Sequence, residues 1–186
     1  MRSTSASSGA PPNKHAAIET PSPWVTRWAA LVERGPVLDV ACGAGRHARL
    51  FAARGLEVVA VDRDAQHIPG VRFVQADLEG APWPFASERF GAIVVTNYLH
   101  RPLFAQLEAA LAEEGVLIYE TFMLGNERYG RPSNPAFLLQ PGELLQAFRG
   151  LTPIAFEQGY LETPKPAVIQ RFCARRGHTG SVRIAP

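Results

Sequence analysis

The chain has 186 residues, 46% of them hydrophobic and 19% charged, and carries a formal net charge of +2. At about 100–200 residues per domain this is one domain, too short for a barrel of about 250 residues or for a dehydrogenase with a separate catalytic lobe. The charge is too balanced to argue for nucleic acid by itself, and Cys42 and Cys173 lie too far apart for a disulfide framework or a zinc site.

Residues 1–20, rich in small polar residues and proline, read as a disordered leader without the apolar core of a secretory signal. The domain is expected over 21–176. Ser22 is placed to cap a short helix over Pro23–Glu33, with Trp24, Trp28 and Leu31 on its apolar face and Gly35 ending it. Pro36–Ala41 reads as a buried strand, Cys42–Gly45 as a glycine turn, and Arg46–Arg54 as a helix closed by Gly55. Leu56–Val61 is a second strand, followed by Asp62. Asp64–Ile68 leaves room for a turn of helix before Pro69-Gly70, and Val71–Gln75 is a third strand ahead of Asp77. Phe90–Thr96 is a fourth, nearly all apolar, as a strand covered on both faces should be. Its clean apolar run is far short of the roughly 18 residues of a membrane span.

A helix over Arg101–Leu111 and a fifth strand over Gly115–Phe122 follow. The polar stretch Met123–Pro135 has a length that is usually functional, as a lid for example. A helix over Gly142–Phe148 and strands near Leu151–Glu157 and Ala167–Arg175 close the chain. The alternation predicts an α/β, Rossmann-like, doubly wound and mostly parallel seven-stranded sheet. The last two strands have no helix between them and are expected to form an antiparallel pair at its edge. No acid follows Glu162, so Arg171, Arg175, Arg176 and Arg183 read as a basic solvated end, with 177–186 as a tail.

In such a sheet ligands bind outside the carboxyl ends of the strands. Polar groups gather there: Asp39 and the glycine turn, Asp62, Asp77, Asn97-Tyr98, and Glu120. Gly43-Ala-Gly45-Arg-His-Ala48 fits the dinucleotide fingerprint, with Asp62 near the ribose-binding position. Asp39 argues against a diphosphate, because it would repel one beside the turn. It suits a ligand with a positive group there.

The stretches VLDVACGAGRHA, VVAVDRD and VQADLE resemble the class I S-adenosylmethionine-dependent methyltransferases. The layout resembles their small tellurite-resistance-type members, which act on small molecules. The family's glycine motif reads here Asp39-x-Ala41-x-Gly43-x-Gly45, with alanine for its first glycine. The resemblance implies that Asp39 holds the methionine ammonium, that Ala41, Cys42, Gly43 and Gly45 lie along the cofactor, and that Asp62, beside Arg63, accepts both ribose hydroxyls. It further implies that Asp77 takes the adenine amino group, that Leu78 packs on the ring, and that Asn97, Tyr98 and Leu99 border the sulfonium.

His100, Glu120 and Tyr98 are the candidate catalytic side chains. Trp24, Arg128, Tyr129 and Arg131 are candidates for binding an anionic or aromatic acceptor. His47 more often packs or caps at such a place, and Cys42 more often packs. Methyl transfer to a soft nucleophile is mostly alignment, so no conspicuous triad and no metal are expected. The leading reading is a small-molecule methyltransferase of a reducing, bacterial cytoplasm. The others are an RNA or protein methyltransferase, a nicotinamide-dependent oxidoreductase, and a non-catalytic module that binds S-adenosylmethionine.

Overall fold

The computed structural model describes residues 20–177. The leader and the tail expected at the two ends lie, but for Thr20 and Gly177, outside those residues. Seven strands form one sheet in the order β3-β2-β1-β4-β5-β7-β6. They are β1 Val37–Val40, β2 Val58–Asp62, β3 Arg72–Gln75, β4 Phe90–Thr96, β5 Leu111–Phe122, β6 Thr152–Leu161 and β7 Ala167–Arg175. The first five run parallel, and β7 lies antiparallel between β5 and β6. A short hairpin suffices for that pair, whereas every parallel step needs a crossover.

Strand alternation sends side chains to two cores. Leu38, Val40, Val59, Val61, Ile93, Val95, Leu117, Tyr119 and Phe172 face one, which is closed by α3 (Phe104–Ala110) and α4 (Glu143–Ala147). Val37, Val58, Ala60, Ala92, Val94, Val116, Ile118 and Cys173 face the other, closed by α1 (Pro23–Trp28) and α2 (Arg46–Ala52). Among the described residues only α2, α3 and α4 lie in the six connections between strands, since α1 precedes β1. The β2–β3 crossover has no helix where a turn was expected at Asp64–Ile68, and the β3–β4 crossover has none either. Single side chains do the covering: Ile68 on one face, Leu78 and Phe85 on the other.

Ser22 caps α1 as expected, its hydroxyl accepting from Trp24 N at 3.1 Å. The helix expected over Pro23–Glu33 ends sooner, passing into a 3-10 turn at Ala29–Leu31. The helix expected from Arg101 likewise opens with a 3-10 turn, with Pro102 in its first positions. The strand expected to stop at Glu157 runs on to Leu161, because its neighbour β7 pairs with it to the end.

Within the described residues the basic end is not a solvated one; Arg183 lies outside them. Arg171 and Arg175 sit inside β7, and each is ion-paired, Arg171 with Glu120 and Glu157 and Arg175 with Glu114. The local run of cations is balanced by acids distant in sequence, which charge spacing alone does not reveal.

Candidate active site at the carboxyl edge

Pairing registers put Gln75, Asp62, Thr96, Glu120, Arg171 and Glu157 on one cross-sheet level at the carboxyl ends of β3, β2, β4 and β5 and across β7 and β6. A cleft of about 320 Å³ opens above the β3–β2–β1–β4 part of that edge. Ala41, Asp62, Arg63, Ala76, Asp77, Leu78, Glu79 and Tyr98 line it. Its volume falls in the usual range for small-molecule sites, about 300–1,000 Å³.

The glycine turn is held from below and from the side. Ala41, Gly43 and Gly45 all take positive φ, at 51°, 53° and 78°. Gly43 donates its N–H to Asp62 Oδ2 at 2.8 Å, and Asp64 N donates to Asp62 Oδ1 at 3.0 Å. Asp62 is thereby aimed, with lone pairs left over on both oxygens. A side chain at Gly43 would meet nothing within 4 Å, so the turn has an open side. Gly45 differs, because a Cβ there would come within 2.3 Å of Ile68 Cδ1. Its glycine answers to packing under the turn and to its backbone angle, not to a ligand above it.

Asp39 is 1% exposed and lies beneath the turn, not in the cleft. Its Oδ2 accepts the Ala48 N–H at 2.9 Å, inside the first turn of α2. Burial pushes its pKa up to about 7, against the lowering pull of that hydrogen bond and of Arg46. It supports the turn from below, where the resemblance implied contact with an ammonium. Cys42 is also a packing residue, its thiol pushed up by burial and by the nearby Asp39 and Asp62 carboxylates. Leu99 is 6% exposed and belongs to the core.

At the end of β3, Asp77 Oδ1 accepts the Glu79 N–H at 3.0 Å, a tight Asx turn that presents both acids to the cleft. Tyr98 joins them from the end of β4. Burial first, then the Glu79 and Asp77 carboxylates, hold its phenol above the ordinary value, and its hydroxyl is buried with no hydrogen bond of normal geometry. That places Tyr98 with the acids of β2 and β3. Asn97 is exposed, takes φ 55°, and donates its N–H to the Glu120 carbonyl at 2.9 Å.

The β5–β7–β6 side of the edge is closed by a chain of polar contacts that runs from buried at Ser22–Glu120 to exposed at Glu157. Arg171 Nε donates to Glu120 Oε2 at 2.5 Å, and Ser22 Oγ donates to Glu120 Oε1 at 2.7 Å. Arg171 also reaches Glu157 Oε2 at 3.2 Å and lies over the Trp24 ring at 5.7 Å. Glu120 is thus an anchored ion pair, not a free base. Trp24, 2% exposed, is core and not a wall of the cleft. His47 Nε2 accepts the Ser22 N–H at 3.1 Å, so the ring is neutral with its proton on Nδ1, facing Thr96 Oγ1 at 3.4 Å. Burial lowers its pKa to about 3. His100 is half-buried, lies outside the cleft lining, and makes no side-chain hydrogen bond among the described residues.

Sequence reading missed Ala76, Glu79, Arg46 and Arg171. Glu79 stands two residues from Asp77, a spacing that an Asx turn brings to one side. Arg46 heads α2 and donates to the Thr20 carbonyl at 3.1 Å. Nothing local marks Arg171, whose partner lies 51 residues away. No group of three or more His, Cys, Asp or Glu among the described residues is arranged to hold a metal ion. No helix among them is long and apolar enough to cross a membrane.

Residues 37–115 match the family model of the methyltransferase domain. No curated protein sequence matches the chain. Among solved structures, TehB from Haemophilus influenzae superposes with a TM-score of 0.67 at 15% identity, over 82% of this chain and 61% of that one. The chain therefore spans less than two thirds of that protein's length. A SAM-dependent methyltransferase of Methanosarcina mazei superposes at 0.61 with 15% identity, over 84% of this chain and 98% of that one. The 1,6-didemethyltoxoflavin-N1-methyltransferase of Burkholderia thailandensis, solved with 1,6-didemethyltoxoflavin and S-adenosylhomocysteine, superposes at 0.59 with 21% identity, over 82% and 76%. The fold is the Rossmann-like fold of these methyltransferase structures, and the stretch that matches the methyltransferase domain, 37–115, holds the glycine turn, Asp62, Asp77 and Tyr98.

Proposed function

We propose that the chain transfers a methyl group from S-adenosylmethionine to a small-molecule acceptor. The observation that carries this reading is the charge of the cleft. Asp62, Asp77 and Glu79 face it, and among the described residues that line it Arg63 is the one cation, itself widely exposed. A diphosphate would meet carboxylates there, whereas a ligand bearing an ammonium, a sulfonium, a ribose diol and an amino group offers donors and positive charge. In this reading Asp62 accepts from the ribose hydroxyls, Asp77 accepts from the adenine amino group, and Leu78 packs on the ring. Ala41 and the open side of Gly43 let the ligand come close. When bound, that cofactor supplies a methyl on a sulfonium: the acceptor's lone pair bonds the methyl carbon as the carbon–sulfur bond breaks and its electrons stay on sulfur. The chain's part is alignment and exclusion of water. Of the three candidate bases Glu120 is held by Arg171 and the Tyr98 phenol is pushed up by burial, which leaves His100, outside the cleft lining, for an acceptor that must lose a proton.

Two further features support the reading. Arg171 and Arg175 are tied up in ion pairs, which takes these two out of any basic surface offered to RNA. Both cysteines are free and buried, and burial pushes the Cys173 thiol up to about 12, in keeping with a reducing cytoplasm.

Calorimetry with S-adenosylhomocysteine and NADH tests the cofactor. Binding of the first and not the second is expected; preference for NADH overturns the reading. Binding without turnover on any acceptor would leave a regulatory module in its place.

A further inference from the structure

The stretch Met123–Pro135 was expected to be an acceptor-binding lid. It is built as a fixed platform. Asn126, 2% exposed, donates from Nδ2 to the Pro132 carbonyl at 3.1 Å and accepts the Val168 N–H at 3.1 Å. Its own carbonyl accepts from Tyr129 N and Gly130 N at 2.8 and 3.1 Å. At the far end Arg101 donates to the carbonyls of Ala136 and Leu138 at 2.7 and 2.9 Å and forks onto Glu143. A chain held this firmly has fixed what it displays. It displays Arg128, Tyr129 and Arg131, all exposed, and neither arginine has a carboxylate partner among the described residues.

Tyr129 is not alone. Its ring packs on that of Tyr160 with centroids 5.0 Å apart, and the two are 47% and 54% exposed. Tyr160 comes from β6, three residues past Glu157 on the cross-sheet level of the strand ends. At about 3.3 Å per residue it stands roughly 10 Å beyond that edge, and at about 4.8 Å between strands β6 lies roughly 14 Å from β4. Two exposed rings from separate elements, with Arg128 and Arg131 close by in sequence to one of them, thus stand beyond the same edge of the sheet as the cleft, at its β6 end.

The geometry points to a second, acceptor-recognising subsite. The Tyr129–Tyr160 ring pair, with Arg128 and Arg131, takes the planar, aromatic, anionic end of an elongated acceptor whose nucleophile reaches back to the end of β4. The rings supply stacking faces, and the arginines supply stacking and paired donors for a carboxylate or phosphate. The distance, roughly 17 Å from the end of β4 to the Tyr160 backbone, is what demands an elongated acceptor rather than a bare inorganic anion. The inference rests on the methyltransferase reading only for the position of the nucleophile. The ring subsite stands on its own geometry.

The test is a titration of the full chain, followed by the tyrosine ring resonances, with benzoate, cyclohexanecarboxylate and benzyl alcohol, each with and without saturating S-adenosylhomocysteine. Benzoate is expected to shift Tyr129 and Tyr160 saturably, and the other two to bind about fivefold more weakly or worse. Tyr160→Ala is expected to weaken benzoate about fivefold and to leave S-adenosylhomocysteine binding unchanged, with Tyr160→Phe close to wild type. Equal binding of benzoate and cyclohexanecarboxylate, equal binding of benzyl alcohol, or no saturable shift at these rings overturns the subsite. So does self-association that Tyr160→Ala abolishes, which would make the ring pair a contact between copies. Failure of S-adenosylhomocysteine to bind would sink the cofactor reading, and the titrations without it would still decide the subsite.

Discussion

On the β3–β2 side of the carboxyl edge, carboxylates stand in the open and are aimed by backbone N–H groups close by in sequence. Gly43 holds Asp62 across 19 residues, and Asp64 and Glu79 hold Asp62 and Asp77 across two. On the β5–β7–β6 side the charges are buried and hold one another across 98 and 51 residues, Ser22 to Glu120 and Arg171 to Glu120. The open side offers its acids to a ligand. The closed side uses its acids to fix α1, β5 and β7 as one body, and so fixes the ground on which an acceptor approaches. Identical residue types serve binding in one place and architecture in the other, and burial decides which.

The largest test of that difference is Arg171→Met. It strands Glu120 in a buried site, where losing one partner of an ion pair costs about 3–5 kcal/mol. Thermal unfolding should show a fall in Tm of roughly 6–20 °C for a chain of this size. A fall of only a degree or two would mean that the pair is solvated and the two sides are alike.

Asp62→Ala comes next. Loss of a charged hydrogen-bonding partner costs about 1.5–3 kcal/mol, so S-adenosylhomocysteine should bind roughly ten- to a hundredfold more weakly. The Tm should move far less than in Arg171→Met, since Asp62 serves a turn and not the core. Equal loss of stability in the two variants would erase the contrast.

A third test separates two buried groups beneath the turn. Asp39 binds its proton more tightly in the folded chain, with a pKa of about 7 against 3.8, so its share of stability falls as pH rises between those values. His47 binds its proton less tightly, about 3 against 6.5, so its share is lost as pH falls through that window. The two slopes oppose each other where they overlap. Asp39→Asn keeps the acceptor for Ala48 N and should leave a stability that rises with pH from about 4 to 6.5; His47→Gln should leave one that falls. Denaturant unfolding across that range reads both signs.

The smallest expected effect is at Ala41. An alanine at positive φ carries about 1–2 kcal/mol of strain, and glycine's extra backbone entropy offsets about 0.5–1 of it. Ala41→Gly should therefore raise stability by about 0.5 kcal/mol. A loss of stability would show that the alanine methyl packs well enough to justify its backbone angle.

The two sides also differ in how far the sequence reveals them. The mostly parallel sheet with its antiparallel edge pair, β4 and β7 to the residue, the glycine turn, and the strand-end positions of Asp62 and Asp77 follow from apolar periodicity and from the spacing of acids after strands, while Leu78 in the cleft was implied by the family resemblance. Those signals are local. Glu120 and Arg171 escape such reading because their roles are set by strand register, and register joins residues far apart in the chain. Asp39 and Gly45 show a subtler limit. Spacing marks them as members of a motif, but whether each faces ligand or core depends on what lies beneath the turn. There the packing of Ile68 and the first turn of α2 claim both.

The missing helices around β3 carry a consequence for exchange of backbone protons with solvent. β3 is a four-residue edge strand with exposed ends, joined on both sides by irregular chain. Local opening of such a unit costs far less than global unfolding, and this unit holds Asp77 and Glu79. Amides of Arg72–Gln75 should exchange early in the free chain and slow markedly with S-adenosylhomocysteine, while those of β1 and β4 hardly change. Affinity for the nucleoside then includes the cooperative docking of this last strand, so substitutions at the β2–β3 boundary that touch no ligand will still tune how tightly it is held.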